Sequence, residues 1–112
     1  MSRQAGGLWP WLLQRFSALY LALFTLYFIA VLLLAPMDGY MQWRAWVAAP
    51  LNGIALLLFF AALLLHAWVG VRDVLVDYVK PLALRLLLLS LFALCFAATG
   101  IWAAQIIFGV MQ

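Results

Sequence analysis

Three long stretches of this 112-residue chain carry no fixed charge, and that pattern limits the folds open to it. No Asp, Glu, Lys or Arg occurs between Arg15 and Asp38. Between Arg44 and Arg72 the only titratable side chain is His66, and nothing charged follows Arg85. Each stretch is long enough to cross a hydrocarbon core of roughly 30 Å at about 1.5 Å per helical residue. A water-soluble domain of this size could not hide a chain that is 71% hydrophobic, because small domains leave much of their surface exposed. The solvent that suits most of these side chains is lipid. The expected fold is therefore all-α, a single three-span membrane domain over residues 1–112. Its spans fall near 12–34, 51–71 and 82–108.

Local signals mark the joints. Ala35-Pro36-Met37-Asp38-Gly39 reads as the turn ending the first span. Pro50 and Pro81 suit the first turns of the second and third helices, where a missing N–H costs nothing. Residues 72–81, rich in charge, are expected to form the second loop. Met1 to Pro10 is too short for a cleaved targeting peptide ahead of the first apolar run, which favours a bacterial chain.

The few charges report orientation. Only 8% of residues are charged, so the net +3 is no indication of nucleic-acid binding. Arg3 and Arg15 flank the first span, and Arg72, Lys80 and Arg85 surround the second loop. Arg44 stands alone in the first loop. Basic residues favour the cytoplasmic side, so the N-terminus and second loop are expected there and the C-terminus on the opposite side. Trp9, Trp11, Trp43, Trp46 and Tyr78 sit where an aromatic belt would lie. Ala93, Ala97, Gly100 and Ala104 make a stripe of small residues, which either lets another helix approach closely or reflects alanine-rich composition.

Few residues can carry chemistry. A single cysteine, Cys95, excludes an internal disulfide and any cysteine-based zinc or iron–sulfur site built from this chain alone. No Gly-rich phosphate loop or nucleophile–base pair is present. His66 is expected about six residues, roughly 9 Å, below the cytoplasmic end of the second span. Ionisable groups at that depth usually have a task. Ala62 and Gly70 lie one turn to either side of it on the same face, leaving room for a flat macrocycle, and imidazole is a common axial ligand of haem iron. The alternative is a neutral imidazole bonded to a neighbouring helix. Arg15 could pair with haem propionates or a quinone headgroup, or simply snorkel to the interface. Ser17 could donate a hydrogen bond nearby or satisfy its own helix backbone. Tyr78 can offer a phenolic proton to a quinone carbonyl with Asp77 delivering protons, or belong to the aromatic belt. Asp73 and Asp77 would otherwise be solvated partners of Arg72 and Lys80.

The run His66-Ala67-Trp68-Val69-Gly70-Val71-Arg72-Asp73-Val74-Leu75, then Asp77-Tyr78-Val79-Lys80-Pro81 and Leu84-Arg85, closely resembles the signature of the succinate dehydrogenase hydrophobic membrane anchor family, the D-type subunit of proteobacterial complex II. Arg15, Ser17 and Ala18 look like the start of that family's first span, while the first and last spans match mainly in pattern. The resemblance implies one part of a hetero-oligomeric helix bundle in the bacterial cell inner membrane, with the C-terminus periplasmic. It implies a flavoprotein, an iron–sulfur subunit and a cytochrome b-type membrane subunit as partners. It also implies a haem b shared between the two membrane subunits and a site where ubiquinone is reduced. By position in the motif, His66 would be the haem axial ligand contributed by this subunit. Tyr78 would hydrogen-bond ubiquinone, Asp77 would stand beside it, and Arg15 would approach the propionates. The chain alone would not be catalytic. Two other readings remain: an anchor of a quinol:fumarate reductase, or a small helical assembly or transport protein without redox chemistry.

Overall fold

The computed structural model describes the backbone from Ser2 to Gln112 and side chains from Leu8 onward; Arg3 lies outside the described side chains. Among the described residues the regular structure is entirely helical: α1 (Ser2–Leu34), α2 (Tyr40–Ala48), α3 (Pro50–Tyr78) and α4 (Leu82–Met111). Within α1 the stretch Leu8–Leu34, together with α3 and α4, is long and apolar enough to cross a membrane.

The helix ends follow from local chemistry. At the start of α2, Gln42 in the third position reaches back, and its Oε1 accepts the Asp38 backbone N–H at 2.6 Å. This satisfies a donor that the turn would otherwise strand. Pro50 then drives the preceding residue out of the helical region, and Ala49 is extended (φ −61°, ψ 127°). One residue thus ends α2 and begins α3, with Pro50 in the first turn.

Two features differ from the sequence expectation. The first loop contains a helix, α2, which hydropathy missed because its residues are mixed and few. It is held in place by aromatic packing rather than by an apolar run: Trp46 lies 5.5 Å from Phe28 and 6.3 Å from Tyr27, and Trp43 lies 5.8 Å from Phe28. The second loop is also much shorter than residues 72–81. Helix α3 continues through Arg72, Asp73, Asp77 and Tyr78, and only 79–81 are irregular. No Gly or Pro interrupts 71–80, so nothing breaks the helix until Pro81 disfavours it at Lys80. Pro81 itself stands just before α4, and its carbonyl accepts the Arg85 N–H at 3.0 Å. The Arg85 Nε donates to the Val79 carbonyl at 3.1 Å and closes the turn.

Helix α3 is the centre of the arrangement. It packs along α1 on one side and α4 on the other, and α2 lies across α3 and α4. Among the described residues α1 and α4 do not approach each other closely. The result is an elongated helical arrangement, 50 × 24 × 21 Å overall. The arrangement has almost no interior: among the described residues Phe24, Val69, Leu75 and Ile107 are the buried hydrophobic ones, and the most apolar window of α4 contains no buried residue. In water this surface would be untenable. In a bilayer it is the solvent-exposed face, so the chain is an integral membrane protein.

The two helix interfaces use different devices. Along α1 and α3, hydroxyls bridge the helices: Tyr20 Oη donates to the Ala55 carbonyl and Tyr27 Oη to Asn52 Oδ1, each at 2.6 Å. Phe24 and Phe59, centroids 4.9 Å apart, fill the space between. Between α3 and α4 close approach does the work. A Cβ on Gly100 would lie 2.9 Å from Leu64 Cδ1. The small-residue stripe of α4 therefore faces α3 and lines an apolar groove of about 560 Å³ with Phe60, Leu64 and Trp68.

Candidate functional site

His66 sits on the α1-facing side of α3, half-buried, twelve residues before the end of the helix at Tyr78. Its Nδ1 lies 3.2 Å from the Ser17 hydroxyl on α1. Ser17 is itself buried, and its Oγ donates to the Gln14 carbonyl one turn back at 3.1 Å. For Ser17 the sequence left a nearby hydrogen bond or its own helix backbone; for His66 it left a haem ligand or an imidazole bonded to a neighbouring helix, and the contact to Ser17 is a bond of that second kind. The structure brings them together: Ser17 bonds its own backbone and touches the imidazole as well. The second ring nitrogen, Nε2, has no hydrogen-bond partner among the described residues and is not sealed from the surface.

His66 lines a recess of about 320 Å³ with Trp11, Gln14, Arg15 and Ala18. Helical spacing explains this set. Residues 11, 14, 15 and 18 are three or four apart and share one face of α1. The Arg15 guanidinium lies over the Trp11 ring, 5.4 Å from its centroid. This cation–π contact holds the cation against the helix without using its fork of donors, which remain available to an anion. Among the described residues Arg15 makes no ion pair. Trp11 and Gln14 were not singled out as site residues by sequence; the i, i+4 relation of Trp11 to Arg15 was the available signal.

Of the two flanking small residues, Gly70 stands beside α1. A Cβ on Gly70 would sit 3.8 Å from Gln14 Nε2, ordinary contact distance, so α1 already covers that side. Free volume lies toward Trp11 and Arg15, and a separate recess of about 250 Å³ borders Gly70 on the side of Phe92.

Tyr78 and Asp77 are not part of this recess. Tyr78 ends α3, twelve residues beyond His66. That offset is about 18 Å along the axis and about 120° around it. Tyr78 is 78% exposed and has no hydrogen-bond partner among the described residues. Asp77 is exposed too, and the only ion pair among the described residues joins the neighbours Arg72 and Asp73 at 3.2 Å. Half-exposed on both sides, that pair contributes little to stability. Lys80 is not its partner.

An imidazole with a free nitrogen, beside a cation whose donors are uncommitted, is a donor set that could hold the iron and one propionate of a haem. His66 is the only histidine of the chain.

The fold and this recess define a class: a small polytopic helical membrane protein that presents one imidazole and one guanidinium in a recess between two of its helices. Residues 1–108 match the family of succinate dehydrogenase/fumarate reductase transmembrane subunits, and the chain belongs to that family. It is also 31% identical over 99 residues to a succinate dehydrogenase hydrophobic membrane anchor subunit of Coxiella burnetii (strain RSA 493 / Nine Mile phase I), covering 88% of this chain and 86% of that protein.

Proposed function

We propose that this chain is the membrane anchor subunit of a succinate:ubiquinone oxidoreductase, in which His66 supplies one axial ligand to a haem b shared with a second membrane subunit. The observation that carries the reading is the shared recess of His66 and Arg15 on the α1–α3 face. A haem, when bound, supplies a one-electron redox centre. The chain's own residues do the rest. His66 offers a nitrogen lone pair, Arg15 offers a cation to a propionate, and the apolar flanks of α1 and α3 exclude water. Tyr78 and Asp77 stand about 18 Å further along α3, toward the end where Arg72, Lys80 and Arg85 gather. There Tyr78 donates its phenolic proton to a ubiquinone carbonyl, and Asp77 delivers protons. Both side chains are exposed in this chain, so the rest of that pocket comes from other subunits.

The same basic cluster supports a topology with the N-terminus and the α3–α4 turn on the cytoplasmic side of a bacterial inner membrane and the C-terminus periplasmic. The partners are the flavoprotein, the iron–sulfur subunit and the cytochrome b-type membrane subunit. The likeness to the Coxiella succinate dehydrogenase anchor subunit favours succinate oxidation over a quinol:fumarate reductase. Family membership disfavours a small assembly or transport protein without redox chemistry.

The test is copurification followed by a reduced-minus-oxidised optical spectrum. The complex is expected to carry a flavoprotein and a b-type band, and His66→Leu to lose or shift that band while the subunits still copurify. A His66→Leu complex with an unaltered band would refute the ligand assignment.

A further inference from the structure

The Ser17 hydroxyl has one proton and two nearby acceptors, and this conflict has a consequence for His66. Its Oγ lies 3.1 Å from the Gln14 carbonyl and 3.2 Å from His66 Nδ1. A hydroxyl donates once and accepts twice. If the proton goes to the Gln14 carbonyl, the contact to Nδ1 is attractive only when Nδ1 carries the hydrogen. The imidazole then donates to Ser17, and Nε2 is left as a bare lone pair. If the proton goes to Nδ1 instead, the hydrogen of the neutral ring must sit on Nε2, where it can bind no metal. Two observations favour the first arrangement. The i−3 carbonyl is held at a fixed place by the helix, one turn from the hydroxyl. The recess that His66 lines also holds the Arg15 guanidinium, whose positive field favours a lone pair over an N–H dipole.

We infer that Ser17 is a positioning residue that fixes the tautomer and ring orientation of His66, with Nδ1–H donating to Oγ and Nε2 presented to the recess. The inference rests on the reading of His66 as a haem ligand, and it gives the buried hydroxyl of α1 a task beyond local backbone bonding. Hydrogen bonds behind a ligating histidine raise its basicity, and their loss typically weakens metal binding about 10- to 100-fold. Ser17 also ties the ligand to α1 rather than to α3 alone, so the orientation of the ring depends on the packing of two helices.

The experiment compares Ser17→Thr and Ser17→Val in the complete purified complex. The two side chains have nearly the same shape and differ by the hydroxyl, so packing effects cancel. Three readouts apply: haem content per flavin, the midpoint potential of the haem in an optical redox titration, and the low-temperature electron paramagnetic resonance spectrum of the oxidised haem. Ser17→Thr should match wild type in all three. Ser17→Val should retain haem about tenfold less firmly. It should also titrate at a higher potential, because a less basic ligand favours the ferrous state, and show altered g-values. Equal potentials and g-values for Thr and Val would overturn the role of Ser17 while leaving haem ligation by His66 standing. Absence of a b-type band from the wild-type complex would overturn both.

Discussion

Tyr27 on α1 and Asn52 on α3 are joined by a hydrogen bond of 2.6 Å from the phenol to Oδ1, at the opposite end of the helix pair from Ser17 and His66. Between them Tyr20 reaches the Ala55 carbonyl. In lipid, helices gain no hydrophobic energy by associating, so polar bridges and close packing must hold them.

These bridges give a first prediction. Tyr20→Phe and Tyr27→Phe should each lower the stability of the α1–α3 pair by about 0.6–1.5 kcal/mol. Tyr27→Phe should cost the more, since Asn52 loses its partner outright, whereas the Ala55 carbonyl keeps its helical N–H. Thermal unfolding of the purified complex in detergent measures this. Equal stability of both variants and wild type would show that the bridges are idle.

Glycine contacts give a second prediction, an order of effects. A Cβ on Gly53 would meet the Val47 backbone oxygen and Met111 Sδ, each at 2.7 Å. One on Gly100 would meet only the tip of Leu64 at 2.9 Å, and one on Gly109 would meet nothing within 4 Å. A backbone oxygen cannot swing aside, whereas a leucine methyl can. Gly53→Ala should therefore destabilise by about 1–3 kcal/mol and Gly100→Ala by less. Gly109→Ala should be neutral or stabilising by up to about 1 kcal/mol through helix propensity. Assembly yield and melting temperature would rank them. A Gly53→Ala variant as stable as Gly109→Ala would contradict the close approach of α2 to α3.

Quinone chemistry supplies a third. Tyr78→Phe removes one donor and leaves the helix end intact. Quinone reduction should fall by about 10-fold or more, the equivalent of one hydrogen bond of about 1.4 kcal/mol, while succinate oxidation with artificial dyes is retained. Parallel loss of both activities would point to a structural role for Tyr78.

Much of this protein was legible along the chain, because its strongest signals are local. Charge-free runs dictate membrane helices whatever surrounds them, since a backbone in hydrocarbon must satisfy its own hydrogen bonds. Pro50 and Pro81 bound α3 and α4 through steric effects on their immediate neighbours. His66 stood out because an ionisable side chain inside an apolar run is costly.

What the chain could not disclose was lateral. Helix α2 exists because Trp43 and Trp46 pack on Phe28 from another helix. The continuation of α3 to Tyr78 separates Tyr78 from His66 by over three turns, where a loop would have left their distance open. Only packing showed that α3 lies between α1 and α4, that Gln14 covers Gly70, and that Ser17 meets His66. Helix formation is decided by residues within a turn or two of each other. Which faces of two antiparallel helices meet, and in which register, depends on residues 49 positions apart, whose proximity leaves no periodic mark in either segment.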